Sequence, residues 1–258
     1  MDSLKVAAIQ ADLHWEQPQK NLNYFSGEIK KLPKDVDLVV LPEMFSTGFS
    51  MNAAQAAEDE PGPAVKWMQE EAEKYQIALA GSLMIHWNER YYNRFYFVYP
   101  SGKIEHYDKR HLFSLAGENE VYEPGREHVI ITYKNWKICP QVCYDLRFPV
   151  FSRNTQGYDL VIYVANWPEK RIQAWDVLLR ARAIENMAFC IGVNRTGTDG
   201  NDYPYCGHSA IYDALGYTLA YAESDETSLV VTLEKEHLIT TRKQLNFLED
   251  RDQFLLKY

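Results

Sequence analysis

"ICPQVCYDLRFP", residues 138–149, sets two thiols four positions apart and follows the second with an aromatic, an acid and an arginine. Together with the upstream run "HVIITYKNW" (128–136), its first half reads as a β-hairpin over 128–143 that turns near Asn135. If both thiols lie on one strand, the Cα atoms of Cys139 and Cys143 are roughly 13 Å apart at about 3.3 Å per residue. A disulfide needs less than about 7 Å, and a shared tetrahedral zinc asks for a similarly close approach. Bridging and metal ligation are therefore disfavoured, and Cys143 is either a buried structural thiol or a reactive one.

Outward from this hairpin, short apolar runs alternate with helical patterns. "LKVAAIQ" (4–10) reads as a strand, "NLNYFSGEIKKL" (21–32) as a helix and "DLVVLPE" (37–43) as a buried strand stopped by Pro42. "PAVKWMQEEAEKYQ" (63–76) has Pro63 suited to a helix start and an amphipathic body, and "IALAGS" (77–82) is the next strand. A hairpin over 94–109 turns at Pro100-Ser101-Gly102, and another over 208–222 turns about Gly216. Between them lie a strand at 159–167, a long helix at 171–188 and a strand at 189–197. Strand pairs inside and helices outside predict an α/β fold of two mixed sheets packed face to face and covered by helices. No linker-like composition interrupts the 258 residues, so a single domain over 1–258 is expected.

Composition narrows the function. Hydrophobic residues at 46% beside charged residues at 24% suit an ordinary globular protein. No apolar run approaches the roughly 18 residues of a spanning helix. Asp2, Lys5, Asp12, His14 and Glu16 leave no room for a secretory h-region, which predicts a cytoplasmic protein without membrane attachment. A formal charge of −9 lacks the basic footprint that nucleic-acid binding requires. Phosphate-binding glycine loops are absent, and "GHSAI" (207–211) places Ile211 where a nucleophile elbow needs glycine.

Three expected strands end in reactive side chains: Glu43, Lys109 and Cys143. Strand ends in helix-covered sheets are where ligands gain access. Singly, each residue has an ordinary structural reading. Together they make a chemical proposal, because a thiol with a pKa near about 8.5 is only about 3% thiolate at pH 7 and needs a proton acceptor. Glu43, beside apolar Leu41 and Met44, can be that base. Lys109 and the backbone N–H of Tyr144 can meet the negative charge that builds on the attacked group. A Cys–His pair with His111 or His208 is the competitor, but the local cysteine motif of papain-like enzymes is absent.

With these residues in view, the chain resembles the nitrilase superfamily of carbon-nitrogen hydrolases over essentially its whole length. "LVVLPEMFSTGF" resembles that family's glutamate block, "YDKRHLF" its lysine block and "VCYDLRFP" its cysteine block, in the same chain order. The resemblance implies a four-layer αββα sandwich that pairs into a homodimer. It also implies Glu43 as base, Lys109 as stabiliser of the tetrahedral intermediate and Cys143 as the nucleophile that forms a thioester. A second glutamate falls on Glu118 in "AGENEVYEPG", with Glu120 two residues away as the other option. Tyr144-Asp145, where nitrile-converting members carry Trp-Glu, favours an amide substrate.

"CYDLRFP", "YVANWP", "LLRARAIEN" and "GHSAIYDALG" most resemble the omega-amidase branch. The substrates implied are 2-oxoglutaramate and 2-oxosuccinamate; an N-carbamoyl amine or aliphatic amide, or a noncatalytic binding role, are the alternatives. A dicarboxylate monoamide presents a carboxylate that suits arginine, for which Arg147 and Arg195 are candidates, while Tyr144, Phe45 and Trp167 are candidate pocket walls. Neither metal nor organic cofactor is expected, because the thiol supplies the nucleophile and water completes the hydrolysis.

Overall fold

In the computed structural model, which describes residues 2–256, the first part of the chain forms β1 (Ser3–Gln10), α1 (Pro18–Lys31), β2 (Leu38–Val40), α2 (Ala53–Ala56), β3 (Glu58–Asp59), α3 (Pro63–Tyr75), β4 (Ala78–Trp87), β5 (Arg90–Val98) and β6 (Ile104–Asp108). The remainder forms α4 (Glu118–Val121), β7 (Ile131–Tyr133), β8 (Trp136–Val142), β9 (Leu160–Val164), α5 (Ile172–Asn186), β10 (Phe189–Val193), β11 (Thr196–Thr198), β12 (Pro204–Cys206), β13 (Ala210–Tyr212), β14 (Thr218–Tyr221), β15 (Thr227–Glu234) and α6 (Lys235–Leu245). One sheet runs β15-β1-β2-β4-β5-β6 with β3 beside β4, the other β14-β13-β10-β9-β8-β7, and β11-β12 is a short ribbon.

Side-chain alternation sorts residues between the layers. Leu4, Val6 and Ala8 of β1 meet Phe95, Phe97, Ile138, Ile162 and Ile191 in the core between the sheets. Their neighbours Ala7 and Ile9 turn the other way, onto Phe25 and Ile29 of α1 and Val65 and Met68 of α3. In the second sheet, Cys139, Val161, Tyr163 and Cys190 face outward onto Trp175, Leu179 and Ala183 of α5. Helices, sheet, sheet and helix thus stack in the expected αββα order. Cys139 is a packing residue in this layer.

Strand direction brings the reactive ends together. β1, β2 and β4 are parallel; β5 is antiparallel to β4 and β6 to β5, so β6 again points with β2. β8, β9 and β10 are parallel in the other sheet. Gly192 lets α5 approach this sheet: a Cβ there would lie 2.3 Å from Leu179 and 2.9 Å from Trp175.

Two features depart from the sequence reading. The strand expected at 77–82 continues to Trp87 and returns as β5 through Asn88-Glu89, whose φ values of 49° and 62° make a tight hairpin turn. Glutamate in place of glycine hides that turn from pattern reading. Beyond residue 222, where no element is expected, β15 pairs with β1 from Ser3↔Glu234 to Gln10↔Thr227, and α6 inserts Leu238 into the central core.

Candidate active site

Each reactive residue sits just past a strand, where the backbone leaves the ladder. Leu41 still donates its N–H to Ala80 O (2.7 Å), but Pro42 has no N–H to continue. Met44 then turns through a φ of 43° while its N–H reaches Ser82 Oγ at 2.9 Å, which leaves Glu43 on the inside of the bend. Lys109 follows the last residue of β6 and donates its N–H to Asn93 O at 2.9 Å. Cys143 follows β8 with a φ of 44° and opens a 3₁₀ turn, Cys143–Arg147. Left-handed backbone is uncommon for a residue with a side chain, and it recurs at functional sites.

The charged atoms converge. Lys109 Nζ donates to Glu43 Oε1 and to both oxygens of Glu118, each at 2.9 Å. Asn93 Nδ2 bridges the two carboxylates at 2.8 and 3.2 Å. Backbone N–H groups complete the set, Glu43 Oε2 accepting from Asn166 at 2.7 Å and Glu118 Oε2 also accepting from Phe113 at 2.6 Å. Glu43, Lys109 and Glu118 are all buried, whereas Glu120 is exposed, so the second glutamate of the cluster is Glu118.

Two carboxylates and one ammonium leave an excess of negative charge, and the half-buried Cys143 lies against it. Burial pushes its thiol well above the ordinary value, the charge of Glu43 adds to this, and Lys109 opposes it. Burial pulls Lys109 down, but Glu118 and Glu43 more than offset this and hold the ammonium firmly protonated. Glu118 is raised, by burial first and by the nearby Glu43. At rest the thiol is therefore protonated and its hydrogen bond runs to Asn166 O at 4.0 Å, while the charge of Glu43 is close enough to act on it, an arrangement that suits proton transfer during attack rather than a preformed thiolate.

A cavity of about 370 Å³ opens over Cys143, walled by Phe49, Phe113, Tyr144, Arg147, Trp167 and Arg171 among others. Arg147 lies 4.9 Å over the Trp167 ring and Arg171 4.9 Å over that of Phe113. Among the described residues neither guanidinium has an ion-pair partner. Lys170 also lines the cavity, and its one acid, Asp199, has its oxygens engaged by Tyr205 Oη and the N–H groups of Asn201 and Tyr203. A chain with a net charge of −9 thus lines this cavity with an excess of cations.

Of the expected wall residues, Tyr144, Arg147 and Trp167 line the cavity and Phe45 does not. Phe45 is wholly buried on the helix side of the first sheet, 5.7 Å from Phe25 and 5.8 Å from Trp67, because the bend at Met44 sends its ring over Gly81. Phe49 takes its place on the wall. Arg195 is likewise off the cavity, turned to Asp12 at 2.7 Å and to the carbonyls of Leu13 and Thr196. The histidines named as competitors are committed elsewhere, His111 to Asp145 and His208 to Asp176. Sequence reasoning missed Asn93, Asn166 and Arg171. Asn166, just past β9, carries the same strand-end signal as the other three, whereas mid-strand Asn93 carries none.

Residues 5–243 match the family model for carbon-nitrogen hydrolases. The chain is 44% identical to "Omega-amidase YafV" of Yersinia enterocolitica, over 99% of this chain and 100% of that one. It is 31% identical to "2-oxoglutaramate amidase" of Bacillus subtilis, over 95% and 96%. Among solved structures, XC1258 from Xanthomonas campestris, a CN-hydrolase superfamily protein with an arsenic adduct in its active site, superposes with a TM-score of 0.97 at 40% identity over the full length of both chains.

Proposed function

This chain belongs to the carbon-nitrogen hydrolase family of the nitrilase superfamily, and from that premise we propose that it is an omega-amidase that hydrolyses the terminal amide of 2-oxoglutaramate and 2-oxosuccinamate. The observation that carries the reading is the closed Glu43–Lys109–Glu118 cluster against a protonated thiol, at the floor of a cation-lined cavity. As Cys143 Sγ bonds to the amide carbon, Glu43 takes the thiol proton. The charge that develops on oxygen is met by Lys109 and by the N–H of Tyr144, which stands in the first turn of its short helix, where backbone N–H groups have no partner within the helix. Glu43 passes its proton to the departing nitrogen, ammonia leaves and a thioester remains. Glu43 then deprotonates the water that attacks the thioester, and the collapsing intermediate returns the thiol and a carboxylic acid. Glu118 holds Lys109 in place, and Arg147 and Arg171 receive the substrate's carboxylate.

Support for the substrate class comes from the free cations, since a neutral aliphatic amide gives them nothing to neutralise. The test is ammonia release from 2-oxoglutaramate by the wild type and Cys143→Ala side by side. Release that is lost in the variant is expected; activity retained by the variant removes the thiol from the reaction. Carbon dioxide in equal yield with ammonia from an N-carbamoyl amine, with 2-oxoglutaramate untouched, replaces the substrate with a carbamoyl compound.

The same reading takes the whole chain as one hydrolase domain in the cytoplasm, where its four free cysteines stay reduced. Among the described residues no helix is long and apolar enough to cross a membrane. The partner is a second copy of the chain, placed against the outer face of α5 and the β13–β14 hairpin, where Val177 is 67% and Ile184 47% exposed beside Leu215, Tyr217 and Leu219.

A further inference from the structure

We infer that Asp145 is a positioning residue that fixes Cys143 relative to Lys109 in the amidase reaction, by tying the two segments that carry them through one buried carboxylate. Asp145 has no exposed surface and accepts four hydrogen bonds. Oδ2 takes the N–H of Val142 at 2.9 Å and the hydroxyl of Tyr107 at 2.8 Å. Oδ1 takes the N–H of His111 at 2.9 Å and faces His111 Nδ1 at 2.7 Å, where the ring nitrogen carries the proton because an ionised carboxylate only accepts.

The donors are not scattered. Val142 immediately precedes Cys143, and Tyr107 and His111 stand two residues before and two after Lys109. The carboxylate therefore holds the nucleophile's segment at one point and the lysine's segment on both sides. The ladder between β8 and β9 ends at Val142↔Val164, so beyond that residue Cys143 has no strand pairing to hold its left-handed backbone. Asp145 supplies the restraint from within the same turn.

Its surroundings stiffen it further. The His111 ring stacks on Phe148 at 3.7 Å with the planes 5° apart, and Phe148 donates its N–H to Asp145 O at 3.0 Å. Tyr107 Oη accepts the N–H of Arg110 at 3.0 Å, which adds a tie beside Lys109. Asp145 touches neither the cavity nor the Glu43 cluster, and acts only through what it holds. Its oxygens are filled by these donors, which leaves the nearby Arg147 to the cavity.

Asp145→Asn keeps the size but points an NH₂ group at converging donors. Misplacement of reacting groups by about 1 Å costs about 100-fold in rate, so kcat on 2-oxoglutaramate is expected to fall by about that factor. KM is expected to stay within about threefold, because the lining arginines are not disturbed. Tyr107→Phe removes one donor and should lower kcat less, and the double variant should fall short of the product of the two effects. Alkylation of Cys143 by iodoacetamide, followed by mass on folded protein, gives a readout that needs no substrate and should slow in both variants. This inference rests on the amidase reading, and the two fail separately. If the wild type releases no ammonia from 2-oxoglutaramate, that substrate is wrong, and the alkylation rates decide the role of Asp145. Unchanged kcat and alkylation in folded Asp145→Asn overturn the inference, as does a fall in melting temperature alone. Should Asp145→Asn not fold, Tyr107→Phe with wild-type kcat and alkylation overturns it equally.

Discussion

At Cys143 the protonation state is decided by charge count. The neighbouring carboxylates outnumber the single ammonium, so ionising the thiol would add a further negative charge to a buried site, and its value lies well above the ordinary thiol. A thiol that had to lose its proton to solvent before attack would make the rate climb with pH through the usual thiol range. A thiol that gives up its proton to Glu43 during attack has no such dependence. We expect kcat/KM for 2-oxoglutaramate to be level from about pH 7 to about pH 9, across the value of about 8.5 at which a free thiol ionises. Glu118 is one of the charges that raise the thiol, so Glu118→Gln should move the pH profile of Cys143 alkylation to lower pH while kcat falls. A profile that stays in place would show that Glu118 exerts no field at the sulfur. Residue-level reading from sequence reached Glu43, Lys109 and Cys143 because each follows a recognisable strand. It did not reach Asn93, whose role depends on which carboxylates lie across from it.

At the level of elements, α5 and the turn before it do two jobs. The helix covers the second sheet through Trp175, Leu179 and Ala183, and Gly192 gives it the clearance to do so. Gly192→Val should push the helix outward and cost about 1–3 kcal/mol, as overpacking typically does, measurable as a lower urea midpoint. The turn Glu169–Arg171 ahead of the helix presents Arg171 to the cavity. Burial depresses that guanidinium from its ordinary value and the nearby charge of Arg147 adds to this, a strain that an arriving carboxylate relieves. Hydrogen bonds to charged groups contribute about 1.5–3 kcal/mol, so Arg171→Met should raise KM for 2-oxoglutaramate by about 10- to 100-fold, with kcat changed less. An unchanged KM would remove Arg171 from carboxylate recognition. Sequence pattern found α5 with its bounds nearly right. The aim of its leading turn was not legible, because a short 3₁₀ segment has no periodicity to read.

Across the whole molecule, the surface left apolar is informative. α5 buries one face on the sheet and leaves Val177 and Ile184 exposed on another, beside the tyrosines and leucines of the β13–β14 hairpin. Contiguous apolar surface of this kind marks association sites. Val177→Glu combined with Ile184→Lys should convert the proposed dimer to a monomer in sedimentation velocity at micromolar concentration. A wild type that sediments as a monomer rejects the dimer outright.

Sequence by itself determined what alternation and punctuation encode. Period-two apolar runs sorted residues between the layers, Pro63 and the amphipathic body marked α3, and the order of the glutamate, lysine and cysteine segments pointed to the carbon-nitrogen hydrolase family. These are local signals, carried by residues a few positions apart. Tertiary structure decided what depends on distant partners. It closed the first sheet by pairing β15 with β1, chose Glu118 over Glu120 by burial, and turned Phe45 into the helix layer and Arg195 toward Asp12. It also bound Asp145 to the segments that carry Cys143 and Lys109. The physical reason is common to all of them: which way a side chain faces after a bend, and which charge answers it, is set by groups that meet only once the sheets have packed.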